Sequence, residues 1–456
     1  MLGADHERIA DYARDECDDH RFRRPPDCVV LAERRGDVEA VLRIAAERRV
    51  PVTPRGAGSG KVAGCVAMQG GVVLSTERMR GPVAVDGDDL VAVAAPGALT
   101  GALADAAEAI GLFYPPDPAS LAYSTIGGNV ATNAGGPRAF RYGVTRDYVL
   151  GLEVVLMGGE VLRVGRRTAK GVTGYDLTQQ FVGSEGTLGV VTEVTARLVP
   201  RPPAVRTALA LFDSADAAGR AVGALARGGV GAHTLELLDR HVLELATAAR
   251  ASDVRVPPGT GAALLLELDG EPDALDAAIL RAGALLEAAG ARDVLVAQSE
   301  PERRSLWAAR REVSRLLRAA HRAKVGEDIC VPRGALGEVL RRIDALSARV
   351  GLPIVCFGHA GDGNLHVNVL LDDDPADPAL RARVEETLVA LFTLVVELGG
   401  TLSGEHGIGA GKARFLPIEQ PPALIAWQRR VKSLWDPAGL LNPGKIFDGG
   451  AGWCRE

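Results

Sequence analysis

Three glycine-rich runs in the first 190 residues constrain this chain more than any other feature: Pro54-Arg55-Gly56-Ala57-Gly58-Ser59-Gly60-Lys61, the stretch 125–136 (TIGGNVATNAGG), and 183–189 (GSEGTLG). Without a Cβ, glycine lets backbone N–H groups approach an anion closely, as a pyrophosphate cradle requires. One such run alone is most simply a tight turn; three in one region point to a bound cofactor. The first run is not a P-loop, because Arg55 stands where its first glycine belongs and Val62 where Ser or Thr should follow Lys61. Nor is it a G-x-G-x-x-G dinucleotide fingerprint, since Lys61 takes the third glycine position. The second run adds amides and hydroxyls able to hydrogen-bond a polyol chain or a ring edge.

At 456 residues the chain exceeds one ordinary core, and two or three packed lobes are expected. A strand at 28–31 and a helix capped by Asp37 through Val41, Leu42 and Ala45 open a βα unit. Strand patterns recur at 72–75, 90–94, 152–157, 161–164 and 190–198. After Arg201-Pro202-Pro203 the texture changes, and the Pro pair marks a domain boundary. Beyond it, strands at 207–212, 233–238, 263–268 and 294–297 interleave with helices at 215–226 and 272–289, which suggests an antiparallel α+β domain. A helix at 301–323, a hairpin at 354–371 and a helix at 378–398 follow, and 402–447 reads as loop and short helix. The most apolar stretch, 388–398, is too short to cross a bilayer and reads as a buried helix.

The net charge of -6 and scattered Arg pairs argue against nucleic-acid binding, which needs a basic face. Six cysteines at 17, 28, 65, 330, 356 and 454 include no C-x-x-C pair, which excludes an in-chain iron–sulfur cluster and suggests reduced, mostly buried thiols. The acidic N-terminus, with no apolar run behind it, is not a secretory signal, so a cytoplasmic location is expected.

His359 and His366 bracket the turn Ala360-Gly361-Asp362-Gly363-Asn364, which can bring both imidazoles together. Along the next strand, His366, Asn368 and Leu370 share one face by period-2 alternation. Glu405-His406 lies in a separate glycine-flanked loop. Two histidines and a carboxylate suit zinc, manganese, cobalt or ferrous iron. Three of the eight histidines fall in these motifs, and the spacing alone leaves open both a metal site and a hydrogen-bonded structural turn.

Taken together, PRGAGSG, YPPDPAS, TIGGNVATNAGG, YGVTRDYVLGLEVV, TAKGVTGYDL, VGSEGTLGVVTEV, GHAGDGNLHVNV, SGEHGIG and LNPGKIF strongly resemble the FAD-linked oxidase family with a vanillyl-alcohol-oxidase (PCMH) type flavin domain. Within it, the likeness is to the D-lactate dehydrogenase, D-2-hydroxyglutarate dehydrogenase and glycolate oxidase branch. The resemblance implies an α+β fold: a flavin domain of two α/β subdomains over 1–205, an antiparallel-sheet substrate (cap) domain over 206–400, and a C-terminal segment, 401–456, returning to the flavin domain.

FAD would then contact Arg55, Gly56, Gly58, Ser59 and Gly60 at the pyrophosphate. Thr125, Gly128, Asn129 and Thr132 would meet the flavin side, Gly183, Glu185, Val190 and Val191 the adenosine side, and Asn442 the returning segment. Ser59 stands where some relatives bear a flavin-linked histidine, so the FAD would be non-covalent. His359, His366 and Glu405 match a divalent-metal set, zinc or manganese, with His406 as base and Arg310, Asn368 and Lys324 binding the substrate. The implied reaction is oxidation of a small D-2-hydroxy acid. Electrons would pass to an electron-transfer flavoprotein, quinone, cytochrome or iron–sulfur partner subunit, with a homodimer and partner-mediated membrane association as further expectations. Two other readings are a flavin-binding subunit of a glycolate-oxidase-like complex and, from the two histidines and carboxylate alone, a non-haem iron oxygenase.

Overall fold

The opening βα unit forms where the pattern places it: strand Cys28–Leu31, then helix Arg35–Arg48. The helix begins two residues before Asp37, whose carboxylate accepts from the N–H groups of Glu33 and Arg34 and so serves as the third residue of a capping box rather than as the cap itself. Buried Val38, Leu42 and Ala45 pack on Val52 and Leu74. Each fully buried Val or Leu side chain contributes about 1.5–3 kcal/mol.

The computed structural model describes residues 1–3, 5–251 and 255–447, and the chain divides into two units. The first contains 1–136, 143–201 and the chain from Glu405 onward; the second contains 137–142 and 202–404.

In the first unit a four-stranded sheet has the order Leu2–Gly3, Cys28–Leu31, Val72–Ser75, Val52–Arg55. The last three strands run parallel. Strand Val52–Arg55 contains Pro54, which an edge strand tolerates; it was not anticipated, because the Pro and the following glycines read as loop. A second, five-stranded antiparallel sheet is ordered Ala84–Asp86, Val91–Ala94, Val190–Arg197, Val149–Val155, Val161–Gly165. The C-terminal segment completes this unit, since Leu441 bridges Val52 and is fully buried.

The second unit is built on a seven-stranded antiparallel sheet ordered Asp293–Val296, Ala204–Phe212, Ala262–Gly270, Ala232–Asp239, Ile354–Gly358, Asn364–Leu371, Ala323–Cys330. Residues 262–269 are all buried, as expected for a central strand covered on both faces. Helices Arg240–Ala248 and Glu300–Ala320 cover the face carrying Leu209, Leu238, Phe357 and Leu370. Helices Ala215–Arg227, Pro272–Ala288, Leu336–Val350 and Pro378–Glu397 pack as a further layer.

Four expectations change here. The helix expected to reach 323 ends at Ala320, and Ala323 opens an edge strand. Helix Leu336–Val350 was not anticipated. Helix Pro422–Trp435 replaces the expected loop and short helix; it carries Leu424, Trp427, Val431 and Leu434 outward and fully buries no side chain, so it lacks the inward apolar signature of an ordinary helix. Of the described cysteines, Cys356 is buried, whereas Cys17, Cys28, Cys65 and Cys330 are partly exposed; Cys454 lies outside the described residues. Among the described residues no helix is long and apolar enough to cross a membrane, and 388–397 lies in a helix that buries Leu388, Leu391, Phe392 and Val395.

Candidate active site

In the first unit the three glycine runs converge on one cleft of about 1410 Å³, counted out to its solvent-filled mouth. A Cβ on Gly56 would collide with Thr125 Oγ1, and one on Gly58, at φ 75°, with the Arg55 guanidinium. The guanidinium lies beneath the loop, donating to the Arg14 carbonyl at 2.8 Å with its Cζ 5.4 Å from the Tyr12 ring centroid. It therefore props the loop from behind.

Most of the second run, Ile126–Thr132, is a short helix rather than open loop, ended by Asn133 in the left-handed region. Asn129 donates to Thr100 Oγ1 and Thr132 to the Gly128 carbonyl, so both side chains hold the run together. Thr125 Oγ1 is buried without a hydrogen-bond partner, an arrangement that awaits a ligand polar atom.

In the third run Glu185 has φ 53°, and its carboxylate accepts from the backbone N–H groups of Ile408 and Gly409 at 2.8 and 2.7 Å. Burial pushes its carboxyl above the usual range despite those donors. Asn442 Nδ2 donates to the carbonyls of Gly64 and Glu185, and Lys445 Nζ to that of Val66. Burial pulls the Lys445 ammonium down to about 8.

Of the residues the sequence assigns to the cofactor, all but Gly183 and Asn442 line the cleft. Pro118, Ala119, Ser120 and Thr76 line it as well, although the sequence assigned them no role. Three of these lie in the quoted YPPDPAS motif, the signal that could have found them. Glu405 and His406 stand on the same wall, with Glu405 Oε2 3.3 Å from where a Cβ on Gly135 would sit. A glycine-built, partly apolar cleft with an unsatisfied hydroxyl fits an extended dinucleotide.

The second unit assembles a different kind of site. Gly363, at φ 80°, turns the chain back so tightly that a Cβ would collide with the Val331 carbonyl. The turn brings the His359 and His366 rings to 5.2 Å between centroids, 82° apart. His366, Asn368 and Leu370 share the face predicted by alternation: Leu370 is in the core under helix Glu300–Ala320, while Leu365, Val367 and Val369 are wholly buried on the other side. Lys324 Nζ donates to Asn368 Oδ1 at 2.9 Å.

Two carboxylates that the sequence reading missed organise this face. Glu236, fully buried in strand Ala232–Asp239, lies 2.5 Å from His359 Nδ1 and also accepts from Arg310 Nε at 2.5 Å. Burial alone would raise its pKa, but His359 and Arg310 hold it far below the usual carboxylate range. A neutral His359 beside an ionised Glu236 carries its proton on Nδ1 and its lone pair on Nε2, the tautomer that a histidine metal ligand would need. Arg310 also lies with Cζ 5.1 Å from the Phe357 ring centroid. Asp328, also fully buried, pairs across the sheet with His366 and accepts from Ser403 Oγ and Asn364 Nδ2. Glu236 sits in a strand that reads as apolar, where a charge was the available signal, whereas Asp328 sits in strand Ala323–Cys330, which was not anticipated.

Comparison with known proteins identifies the family. Residues 26–165 match the FAD binding domain, and residues 201–446 match the C-terminal domain of FAD linked oxidases. The chain belongs to the FAD-linked oxidase family. It is 39% identical to the glycolate oxidase subunit GlcD of Bacillus subtilis, over 94% of this chain and 90% of that protein. It is 35% identical to a D-lactate dehydrogenase of Anaerostipes hadrus (92% and 89% covered) and to a D-2-hydroxyglutarate dehydrogenase of Stutzerimonas stutzeri (93% and 92%). The fold is that of p-cresol methylhydroxylase, with a TM-score of 0.78, 18% identity and 97% and 93% of the two chains covered. Alkyldihydroxyacetonephosphate synthase aligns at a TM-score of 0.73, 19% identity and 95% and 81% coverage. This FAD-linked oxidase is an oxidoreductase with the α+β, PCMH-type fold its motifs imply.

Proposed function

We propose that this FAD-linked oxidase converts a small D-2-hydroxy acid, with D-lactate, D-2-hydroxyglutarate and glycolate as candidates, to the 2-oxo acid. The observation that carries the reading is the face of the second unit on which one buried carboxylate, Glu236, orients both an imidazole ligand and a guanidinium. A 2-hydroxy acid presents the matching pair of groups, a chelating hydroxyl and a carboxylate. When bound, FAD supplies the two-electron acceptor and a divalent cation, zinc or manganese, the Lewis acidity that makes the substrate hydroxyl more acidic.

This chain's residues supply the rest. His359, His366 and Glu405 are the assigned metal ligands. Arg310 takes the substrate carboxylate in a charge-assisted contact, and Asn368 with Lys324 adds polar contacts. His406 accepts the hydroxyl proton as the hydride leaves C2. The likeness to a glycolate oxidase, a D-lactate dehydrogenase and a D-2-hydroxyglutarate dehydrogenase supports the substrate class.

Likeness to the glycolate oxidase subunits GlcD of Bacillus subtilis and Escherichia coli favours a second reading in which the chain is the flavin-bearing subunit of a larger assembly and a partner receives the electrons. Anaerobic bleaching of the flavin by D- and L-lactate, glycolate and D-2-hydroxyglutarate, with and without chelator, tests both. Bleaching by one of the candidate acids that a chelator abolishes is expected. Bleaching indifferent to chelator removes the metal assignment, and no bleaching despite bound FAD favours the subunit reading.

A further inference from the structure

Outside the site just described, His241 and His321 face one another in the second unit with their Nε2 atoms 3.2 Å apart. His321 Nδ1 lies 2.9 Å from Asp372 Oδ1. Two imidazoles on one zinc ion at about 2.0–2.1 Å place their nitrogens roughly 3.3–3.4 Å apart in a tetrahedron. The observed separation is within about 0.2 Å of that edge. The Asp372 carboxylate holds the His321 proton on Nδ1 and aims the Nε2 lone pair at the gap, the outer arrangement typical of histidine metal ligands. We infer that His241 and His321 form a second divalent-metal site, of the imidazole-preferring class of zinc, nickel and copper, with Asp372 as its supporting carboxylate.

In the metal-free pair a single proton on His241 Nε2 bridges to His321 Nε2. When the ion enters, that proton moves to His241 Nδ1, and both Nε2 lone pairs become ligands. Glu244 and Asp372 contribute negative charge beside His241. Asp372 is 64% exposed, so the site borders solvent and water can complete the coordination.

The position gives the site a structural role. His321 sits between helix Glu300–Ala320, which carries Arg310, and strand Ala323–Cys330, which carries Lys324. Asp372 follows the strand carrying His366 and Asn368, and His241 follows the strand carrying Glu236. An ion there ties together the helix that carries Arg310 and the strands that carry Glu236, Lys324 and His366.

The test is zinc stoichiometry and thermal shift on the full-length flavoprotein, stripped of metal and titrated with zinc ion alone. His321→Ala should bind one equivalent less than wild type, and His321→Cys, which keeps a ligand, should recover it. Asp372→Asn should weaken that equivalent about 10–100-fold. Glu405→Gln probes the other site: it should lose a different equivalent while zinc still raises its Tm through His241 and His321. If Glu405→Gln loses nothing but His321→Ala does, the proposed catalytic metal fails and this site stands. Unchanged stoichiometry in His321→Ala, or imidazole nitrogen resonances of His241 and His321 that zinc leaves unmoved, overturns it.

Discussion

The two units build their sites from opposite materials. The first shapes its cleft with backbone: glycines at Gly56, Gly58 and Gly186 clear space, and the side chains of Arg55, Asn129 and Thr132 are tied up holding the loops. The second projects side chains from a rigid sheet and fixes them with buried carboxylates, Glu236 and Asp328. A cofactor common to many enzymes would be held by groups every residue possesses, whereas the proposed substrate face depends on particular ionisable groups in set orientations. Backbone cradles tolerate side-chain change and fail with added Cβ atoms; side-chain sites do the reverse.

The sharpest break would come at His406, which stands on the cofactor cleft yet is assigned to chemistry. His406→Ala should lower turnover about 10²–10⁴-fold with flavin content unchanged; loss of flavin would instead make His406 part of the cradle. Glu236→Gln should follow, weakening metal binding about 10–100-fold and raising KM, while FAD affinity stays at wild type. A uniform fall in both affinities, read by equilibrium dialysis and flavin fluorescence, would mean the carboxylate only stabilises the fold, since breaking a buried pair costs about 3–5 kcal/mol.

Gly58→Ala tests the other unit, and should weaken FAD by about 1–3 kcal/mol through strain at positive φ without altering metal binding. Asp15, beside Gly60, is the titrating counterpart. Burial raises its pKa from 3.8 to about 6, only partly offset by the Cys17 N–H and Arg55. The folded state therefore binds more protons than the unfolded between these values, and stability should fall by up to about 1.4 kcal/mol per unit as pH rises from 3.8 to 6. Asp15→Asn should flatten that part of the Tm profile; an unchanged profile would show that the carboxyl titrates normally. Thr132→Val should do least, changing FAD affinity less than about threefold (~0.6 kcal/mol), because the hydroxyl already bonds the Gly128 carbonyl. A tenfold loss would return Thr132 to direct cofactor contact.

The same contrast explains what the sequence disclosed. The glycine runs were legible because positive φ and close approach exclude nearly every other residue, and the cleft forms where they converge. The period-2 alternation through His366, Asn368 and Leu370 correctly assigned a face. Glu236 and Asp328 were not legible, since a carboxylate inside LELLD or GEDIC takes its meaning from strands far away in sequence. Helix Pro422–Trp435 was missed because its apolar residues face outward while Lys432 and Trp435 anchor it through the Thr187 carbonyl and Gln180.

The return of the C-terminal segment also governs the order in which the protein can be made. Strand Val52–Arg55 gains its bridge to Leu441, and Glu185 its two amide donors at 408 and 409, only when residues 408–441 have left the ribosome. Synthesis at about 5–20 residues per second separates the emergence of the first glycine loop from its closure by roughly 20–80 s. The intervening residues 202–404 are nearly contiguous and can pair their antiparallel strands during that interval. The unit that holds the glycine runs is thus completed only after residues 202–404 have emerged, and FAD meets a finished cradle only once residues 408–441 have been made.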